Sequence, residues 1–557
     1  MPRENPHLQI VHLDEMAAEE IPKVEMSKSE LEEKEAFRQQ LETIMQEAFA
    51  KEYSGDIATI SLVGFGSMAS GFGLPGSDMD LAIVPGWKDP ARANEIGIDR
   101  DIPRLLERAV LDAKLGGRLL TRTRVPILKI CQTPTEELYT ALAEERQKWN
   151  DLPEEDKYPS DLPLEPSPPP KPLVEVDGAK TTALTSHADS PNFGDDYPTL
   201  GTAATTKTKN QQKRDAAKAN PPQPKTPTAT APSEETTNVK TDDKPKIEQL
   251  PRTEKQWARE KVIGPLDFPK TGCGIQCDIN FENPLGIHNT HMLRCYALTD
   301  PRVRPIVLFV KSWAKRRKVN SSYSGTLSSY GWVLMVLHYL VNIAHPHVCP
   351  NLQHSMPPPT FPTIAGYPVR FWRNEQEIIQ AAQAGRLTQN TQSIGGLLRG
   401  FFQYYASLSG GYGYYGPKPP QFYWTNEVLS LRTPGGILSK QSKGWVSATT
   451  KITAEKKVTN RYLFAIEDPF EVDHNVARTV THRGIVAIRD EFRRAWKILQ
   501  AVGTGQEPEG GIFDEVVENI PPPMPKPEEV QKGTMESLGV GGKGKREAAV
   551  EGSQVAM

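Results

Sequence analysis

Three aspartates and a glycine–serine pair are the residues whose types and spacing could do chemistry. Gly66-Ser67 follows a strand-like run, IATISLVG at 57–64, and Asp78-Met79-Asp80 opens the next one, DMDLAIV at 78–84. Alternate residues of a strand share a face, so both carboxylates point one way and offer the hard oxygen ligands that Mg²⁺ takes. A glycine in the preceding turn lets backbone amides approach phosphate oxygens, and a helix opening there favours negative charge. The Ser67 hydroxyl adds a donor. Asp278 sits mid-strand in IQCDINF at 275–281, between apolar neighbours where an unpartnered carboxylate is costly. Three such acids on adjacent strands can clamp two cations about 3.5–4 Å apart. For Asp278 the bland alternative is a solvated acid on an edge strand.

A second group of residues could hold a polyanion or a base. Lys311 and Lys315 in VKSWAKRRK stand four residues apart, on one helix face, where two ammoniums could grip a triphosphate or simply be solvated. Arg316 and Arg317 point elsewhere and suit either RNA or plain surface charge. The run GTLSSYGWVLMVLHYL begins with small hydroxyl residues and continues as an apolar helix. In it Ser329 could donate to phosphate, and Tyr330 could stack on a base, a contact worth about 1–3 kcal/mol, or serve as core. The aromatics of TQSIGGLLRGFFQYYA at 391–406 read as core packing.

Positioning these residues requires a folded unit inside a chain that is polar overall. Of 557 residues 37% are apolar and 49 are proline, and the mean hydropathy is −0.51, so a folded enzyme with long disordered segments is expected. The net charge of −3 gives no global pull toward nucleic acid, so any such contact needs a local basic patch. The five cysteines, Cys131, Cys273, Cys277, Cys295 and Cys349, show no paired CxxC spacing, which argues against a zinc cluster and for reduced thiols. No apolar stretch is long enough to span a bilayer.

The expected organisation is a disordered 1–26, an amphipathic helix at 27–53 packing on a helical domain, and an α/β palm at 54–133. A disordered insertion at 134–260 then splits a hairpin, and the palm resumes at 261–285 with the third carboxylate. A mostly helical domain at 286–505 and a disordered tail at 506–557 complete the chain. Opening a hairpin loop this far costs only about 3 kcal/mol, because closure entropy grows logarithmically. Within the insertion, KTKNQQKRDAAK at 207–218 is a basic segment suited to tethering RNA, and the proline-rich stretches read first as plain linker, with docking of a protein partner as the alternative.

Residues 63–84 resemble the signature of the DNA-polymerase-β-like nucleotidyltransferases, and residues 275–340 resemble the cytoplasmic-type poly(A) polymerases and terminal uridylyltransferases. The likeness runs over roughly 30–130 and 262–500, with several motifs in the family's order. It implies an α+β, bilobal fold, a small palm beside a helical poly(A)-polymerase-associated domain. It also implies that Asp78, Asp80 and Asp278 bind two Mg²⁺ or Mn²⁺ ions, and that Lys311 and Lys315 face the triphosphate, where Gly66, Ser67 and Ser329 are the candidate phosphate contacts read from their chemistry. Tyr330 would stack on the base, and Asn283 and Asn289 would lie near ribose and base. The segment IEDPFEVDHNVARTV at 466–480 is similar to the family's nucleotide-recognition loop. Its matching positions are Asp468, Glu471, His474 and Arg478, and a histidine at His474 goes with uridine preference. Ala477 stands where the family often has glycine.

The expected function is therefore template-independent addition of UMP from UTP to RNA 3′ ends, with AMP addition from ATP as the alternative. A monomer is expected, in the cytoplasm or also the nucleus. A non-catalytic scaffold for RNA decay would fit the loss of an acid, and none is lost. An oligoadenylate synthetase or small-molecule transferase would lack the EDPFEVDHN loop, which is present.

Overall fold

The computed structural model describes residues 4–92, 97–121, 126–157, 264–281, 283–407, 419–452 and 457–516. The basic segment at 207–218, most of the insertion and the end of the tail lie outside them.

The palm is one five-stranded sheet. Its strands are β1 (Ile57–Phe65), β2 (Met79–Trp87), β3 (Gly116–Leu120), β4 (Ile127–Cys131) and β5 (Gln276–Asn280), in the order β1-β2-β5-β4-β3. β5 runs parallel to β2 and antiparallel to β4. The expected hairpin is thus real, and the insertion enters between its two strands. One face of the sheet carries Leu62, Met79, Leu81, Ile83, Leu128, Ile130, Cys277 and Ile279. A register shift between Ile57 and Thr59 brings Ile57 and Ile60 into the same core.

That face is covered by α2 (Lys28–Glu52), through Phe37, Leu41, Met45 and Phe49, and by α4 (Ile102–Asp112), through Ile102, Leu106 and Val110. Ser27 caps α2 by accepting from the Glu30 amide at 3.1 Å. This corrects the expectation that 27–53 packs on the helical domain. The consequence matters for the site: with one face sealed, the alternate residues of β2, β4 and β5 are left on the open one.

The helical region contains α7 (Pro284–Thr299), α8 (Val303–Arg316), α9 (Ser329–His338), α10 (Glu375–Gln383), α11 (Ile394–Ala406) and α12 (His482–Gly503). They follow a one-turn α3 (Gly66–Ala69), α5 (Glu136–Asn150) and a short α6 (Glu154–Lys157). Small strands decorate this half: the pair β6 (Thr363–Ile364) and β7 (Tyr367–Pro368), then β8 (Glu427–Ser430), β9 (Ile437–Ser439), β10 (Thr449–Ile452), β11 (Lys457–Asn460) and β12 (Ile466–Glu467). Phe401, Phe402 and Tyr405 are fully buried with Trp313, Trp332 and Phe492, so the aromatic run at 391–406 is core, as read. No helix among the described residues is long and apolar enough to cross a membrane.

Three boundaries differ from expectation. Residues 1–26 are not simply mobile: α1 (Pro6–Val24) starts with Asn5 accepting from the His7 amide at 3.0 Å and Pro6 in its first turn. Its Leu13 and Ala17, one turn apart, enter the helical core. Gln9 donates to the Leu499 carbonyl at 2.8 Å, and Asp14 accepts from Gly395 at 2.6 Å. Leu13→Ala should therefore cost about 2–5 kcal/mol, read as a lower urea midpoint; an unchanged midpoint would mean α1 does not belong to the core.

At the insertion, α5 is folded, with Leu138 and Leu142 packing against Leu111, Cys131 and Cys273. In the tail, Ile512 and Phe513 are buried, Phe513 edge-on to Phe309 at 4.8 Å. Arg316 and Arg317 both have structural ion pairs. Arg316 pairs with Glu20 at 2.7 Å, and the buried Arg317 pairs with Glu491 at 2.8 and 3.1 Å.

Candidate active site

Strand register assembles the acids. Asp80 lies directly across from Asp278 between β2 and β5, and Lys129 lies across from Asp278 between β5 and β4. Neighbouring strands are about 4.8 Å apart, so two carboxylates and an ammonium form a row on the open face. Asp78 immediately precedes β2 and completes the cluster. Lys129 Nζ reaches Asp278 Oδ1 at 2.5 Å.

The electrostatics follow from this crowding. Burial, then Asp278, then Asp78 push the Asp80 carboxyl up to about 7. Burial and Asp278 also raise Asp78. Burial would lower Lys129, but Asp278 and Asp78 outweigh it and hold the ammonium above its ordinary range. Three hard carboxylates against one ammonium leave an excess of negative charge that a divalent cation neutralises. The donor set therefore fits Mg²⁺ or Mn²⁺.

A pH dependence follows. Asp80 is raised from 3.8 to about 7 in the folded, metal-free protein, so the folded state holds a proton that the unfolded chain has lost. Stability of the metal-free protein then falls as pH rises through that window. A bound cation displaces the proton, so the Tm increase caused by Mg²⁺ should be larger at about pH 8 than at about pH 6. Equal increases at both would contradict the clustering.

Gly66 earns its identity geometrically. Its φ is +73°, and a Cβ there would lie 2.1 Å from Asp80 Oδ2. Its amide donates to Thr290 Oγ1 at 2.8 Å, and Ser67 backbone hydrogen bonding supports Asp80. The Gly66 amide is engaged in this structure, and α3 is a single turn of four residues, too short for a substantial helix dipole. Beside the expected phosphate contact, the turn packs directly behind Asp80.

Above the acids lies a cleft of about 880 Å³. Its walls include Gly66, Ser67, Asp78, Asp80, Asp278, Asn283, Asn289, Lys311, Ser329, Tyr330, Asp468, Glu471 and His474. Lys315 and Arg478 are not among the walls; Lys315 is exposed on α8, one turn beyond Lys311, and its charge acts on Asp78. Lys311 is buried and donates to the Phe72 carbonyl, with burial pulling its ammonium down to about 8. Asn283 caps α7, accepting from the Gly286 amide at 3.1 Å. Ser329 Oγ donates to Asn320 at 3.2 Å, while Ser328 caps α9.

Asp468 is a hub. Its Oδ1 accepts from the Phe470 and Glu471 amides at 2.9 and 3.0 Å. Its Oδ2 accepts from the Tyr330 hydroxyl at 3.0 Å and faces Asn289 Nδ2 at 3.5 Å. These contacts orient the Tyr330 ring as a wall of the cleft. The loop closes on itself through His474 N to Glu471 O at 2.8 Å and Asp468 N to His474 O at 3.2 Å. Ala477 is buried with ordinary negative φ, so alanine meets no backbone strain where glycine was expected.

Sequence reasoning missed Lys129, Thr290 and Tyr367. Lys129 had a signal, a cation in the middle of the apolar strand ILKIC paired with an acid-bearing one. Thr290 adjoined Asn289 without a reason to be chosen. Tyr367 comes from the two-residue strand β7, too short for any pattern.

Residues 393–474 match the family described as Cid1 family poly A polymerase, and residues 13–140 and 263–298 match the central palm domain of the mitochondrial-like poly(A) RNA polymerases. The chain is 42% identical over 270 residues to terminal uridylyltransferase cid1 of Schizosaccharomyces pombe, across 48% of this chain and 61% of that protein. These matches make the chain similar to the poly(A) polymerases and terminal uridylyltransferases. Poly(A) RNA polymerase GLD2 of Rattus norvegicus is 32% identical over 44% of this chain and 43% of its own length. The matched segments thus span about half the length of these curated relatives. A solved Cid1 structure, described in terms of RNA terminal uridylyl transferase activity, superposes with a TM-score of 0.54 at 26% identity, covering 91% of this chain and 99% of that one. The palm match breaks between 140 and 263, so the insertion is absent from the family's palm.

Proposed function

We propose that the protein transfers UMP from UTP to the 3′ end of RNA without a template. The observation that carries this reading is the register of Asp80 and Asp278 across β2 and β5, with Asp78 beside them, at the floor of a nucleotide-sized cleft. Bound Mg²⁺ or Mn²⁺ ions would supply charge neutralisation and activation of the RNA 3′-hydroxyl for in-line attack on the α-phosphate, releasing pyrophosphate. Asp78 and Asp80 would hold both ions, and Asp278 the one nearer the hydroxyl. Lys311 and Lys315, with Ser67 and Ser329, would align the triphosphate. Asn283 and Asn289 would lie beside the sugar, and the Tyr330 ring, fixed by Asp468, would lie against the base. Catalysis by such a site is mostly positioning and electrostatics.

Base choice rests on His474, which would fill the far end of the cleft, bond a pyrimidine edge and exclude a purine. Asp468 and Glu471 would accept from the base directly or through water. Cid1 has been solved with the UTP analogue UMPNPP and with the short product ApU, which supports the uridine reading. Cid1 is also described as a cytoplasmic RNA terminal U-transferase, which supports a cytoplasmic site of action. The GLD2 relatives, named poly(A) RNA polymerases, favour AMP transfer as the second reading. The test is extension of a labelled oligonucleotide with each NTP singly, in Mg²⁺ and in Mn²⁺. UTP should be preferred by about tenfold or more, and His474→Asn should move the preference toward ATP, an effect on the scale of one pocket contact. A wild-type preference for ATP would select the second reading; no shift in the variant would remove His474 from base choice.

A further inference from the structure

We infer that the protein carries a second cation site, of soft rather than hard chemistry, between α7 and α10. His291 and Cys295 are one turn apart on α7, and Glu375 opens α10. One donor atom from each, a ring nitrogen, a sulfur and a carboxylate oxygen, lies within 4.8 Å of the others. His291 Nε2 and Glu375 Oε1 are 3.5 Å apart. None of the three lines the cleft. They lie elsewhere on the same helix α7 whose Asn289 and Thr290 do line it.

The surroundings are those of a ligand set. The His291 ring is held edge-on by Phe371, with centroids 5.4 Å apart and an 84° interplanar angle. Cys295 is fully buried, while His291 and Glu375 side chains keep 36% and 29% of their exposure. The ion therefore has an approach from solvent and an open fourth position. Arg294 Nε contacts both Glu375 oxygens, at 2.9 and 3.1 Å; on binding it keeps Oε2 while Oε1 turns to the ion.

Nitrogen, sulfur and oxygen donors in threes select zinc-class ions over magnesium. The Cys295 thiol loses its proton to water as the sulfur–metal bond forms. The thiolate and carboxylate then offset the divalent charge, with Arg294 still paired to Glu375. Filled, the site ties α7 to α10 behind the nucleotide cleft.

The probe is Co²⁺, added to the full chain after chelation. One Co²⁺ per chain should give four-coordinate d–d bands and a sulfur-to-cobalt charge-transfer band, both bleached by Zn²⁺. Cys295→Ser should abolish the charge-transfer band. His291→Gln, at a half-exposed position, should weaken binding by more than about tenfold, the scale at which even outer partners act. Asp78→Asn should keep the band, which separates this site from the carboxylate cluster. A wild-type protein without the band, or a band that survives Cys295→Ser, would overturn the inference.

Discussion

Asp278→Ala should lower RNA extension by about 10³-fold or more while leaving the fold intact, since losses of this order attend removal of a group that meets transition-state charge. The side chain stands on the open face of the palm, half-exposed, and the buried face of β5 is carried by Cys277 and Ile279. The change leaves no cavity in the core. It also relieves repulsion: Asp278 is the largest charge raising both Asp80 and Asp78, so both carboxyls should move down toward ordinary values. Against this stands the lost ion pair to Lys129, which keeps the charge of Asp78 nearby, so the metal-free variant should melt near the wild-type Tm. Single-turnover extension beside a melting curve separates the outcomes. Wild-type extension would remove Asp278 from the site, and a collapsed Tm would assign it to folding.

Gly66→Ala should be nearly as damaging from a position that contributes no side chain. Two effects add. A left-handed backbone costs an alanine roughly 1–2 kcal/mol, and the new methyl would overlap Asp80 Oδ2, which lies 2.1 Å from the Cβ position. Asp80 must turn away from Asp278, or the turn must open and release the Gly66–Thr290 hydrogen bond. A displacement of about 1 Å at a catalytic group costs about 10²-fold. The loss should fall mainly on kcat, with KM for UTP less affected. A rise in KM alone would mean that the turn contacts the nucleotide rather than holding the acid.

Much of this was legible because it depends on short periods. Alternation in DMDLAIV and IQCDINF puts Asp80 and Asp278 opposite Met79, Leu81, Cys277 and Ile279, and the register confirms those faces. The aromatic run at 391–406 was core because few surfaces carry so many rings. What was missed depends on tertiary partners. The α1 sequence is polar enough to read as a tail, and its Leu13–Ala17 stripe acquires meaning only against α8, α11 and α12. Likewise α5 has just Leu138 and Leu142 to bury, lost among its charges. Phe37, Leu41, Met45 and Phe49 announced an amphipathic helix, but the pattern carries no address, and the palm rather than the helical region receives it.

At the site, residue types with one strong chemical use were found, whereas relational roles were not: Lys129 was passed over, and Gly66 was chosen for phosphate rather than for its packing on Asp80. Lys129 matters through the strand beside it, and Gly66 through a carboxylate fourteen positions away. The cysteines were weighed against one another, whereas Cys295 has its neighbours in His291 and Glu375.

The central claim is that this cleft joins a nucleotide to the 3′-hydroxyl of RNA. The most direct measurement is mass spectrometry of a single-stranded RNA oligonucleotide incubated with the protein, Mg²⁺ and all four NTPs, beside the same RNA ending in a 3′-deoxynucleotide. A ladder of uridylate additions is expected on the first and none on the second. No ladder on the first, or growth of the 3′-deoxy RNA, would contradict the claim.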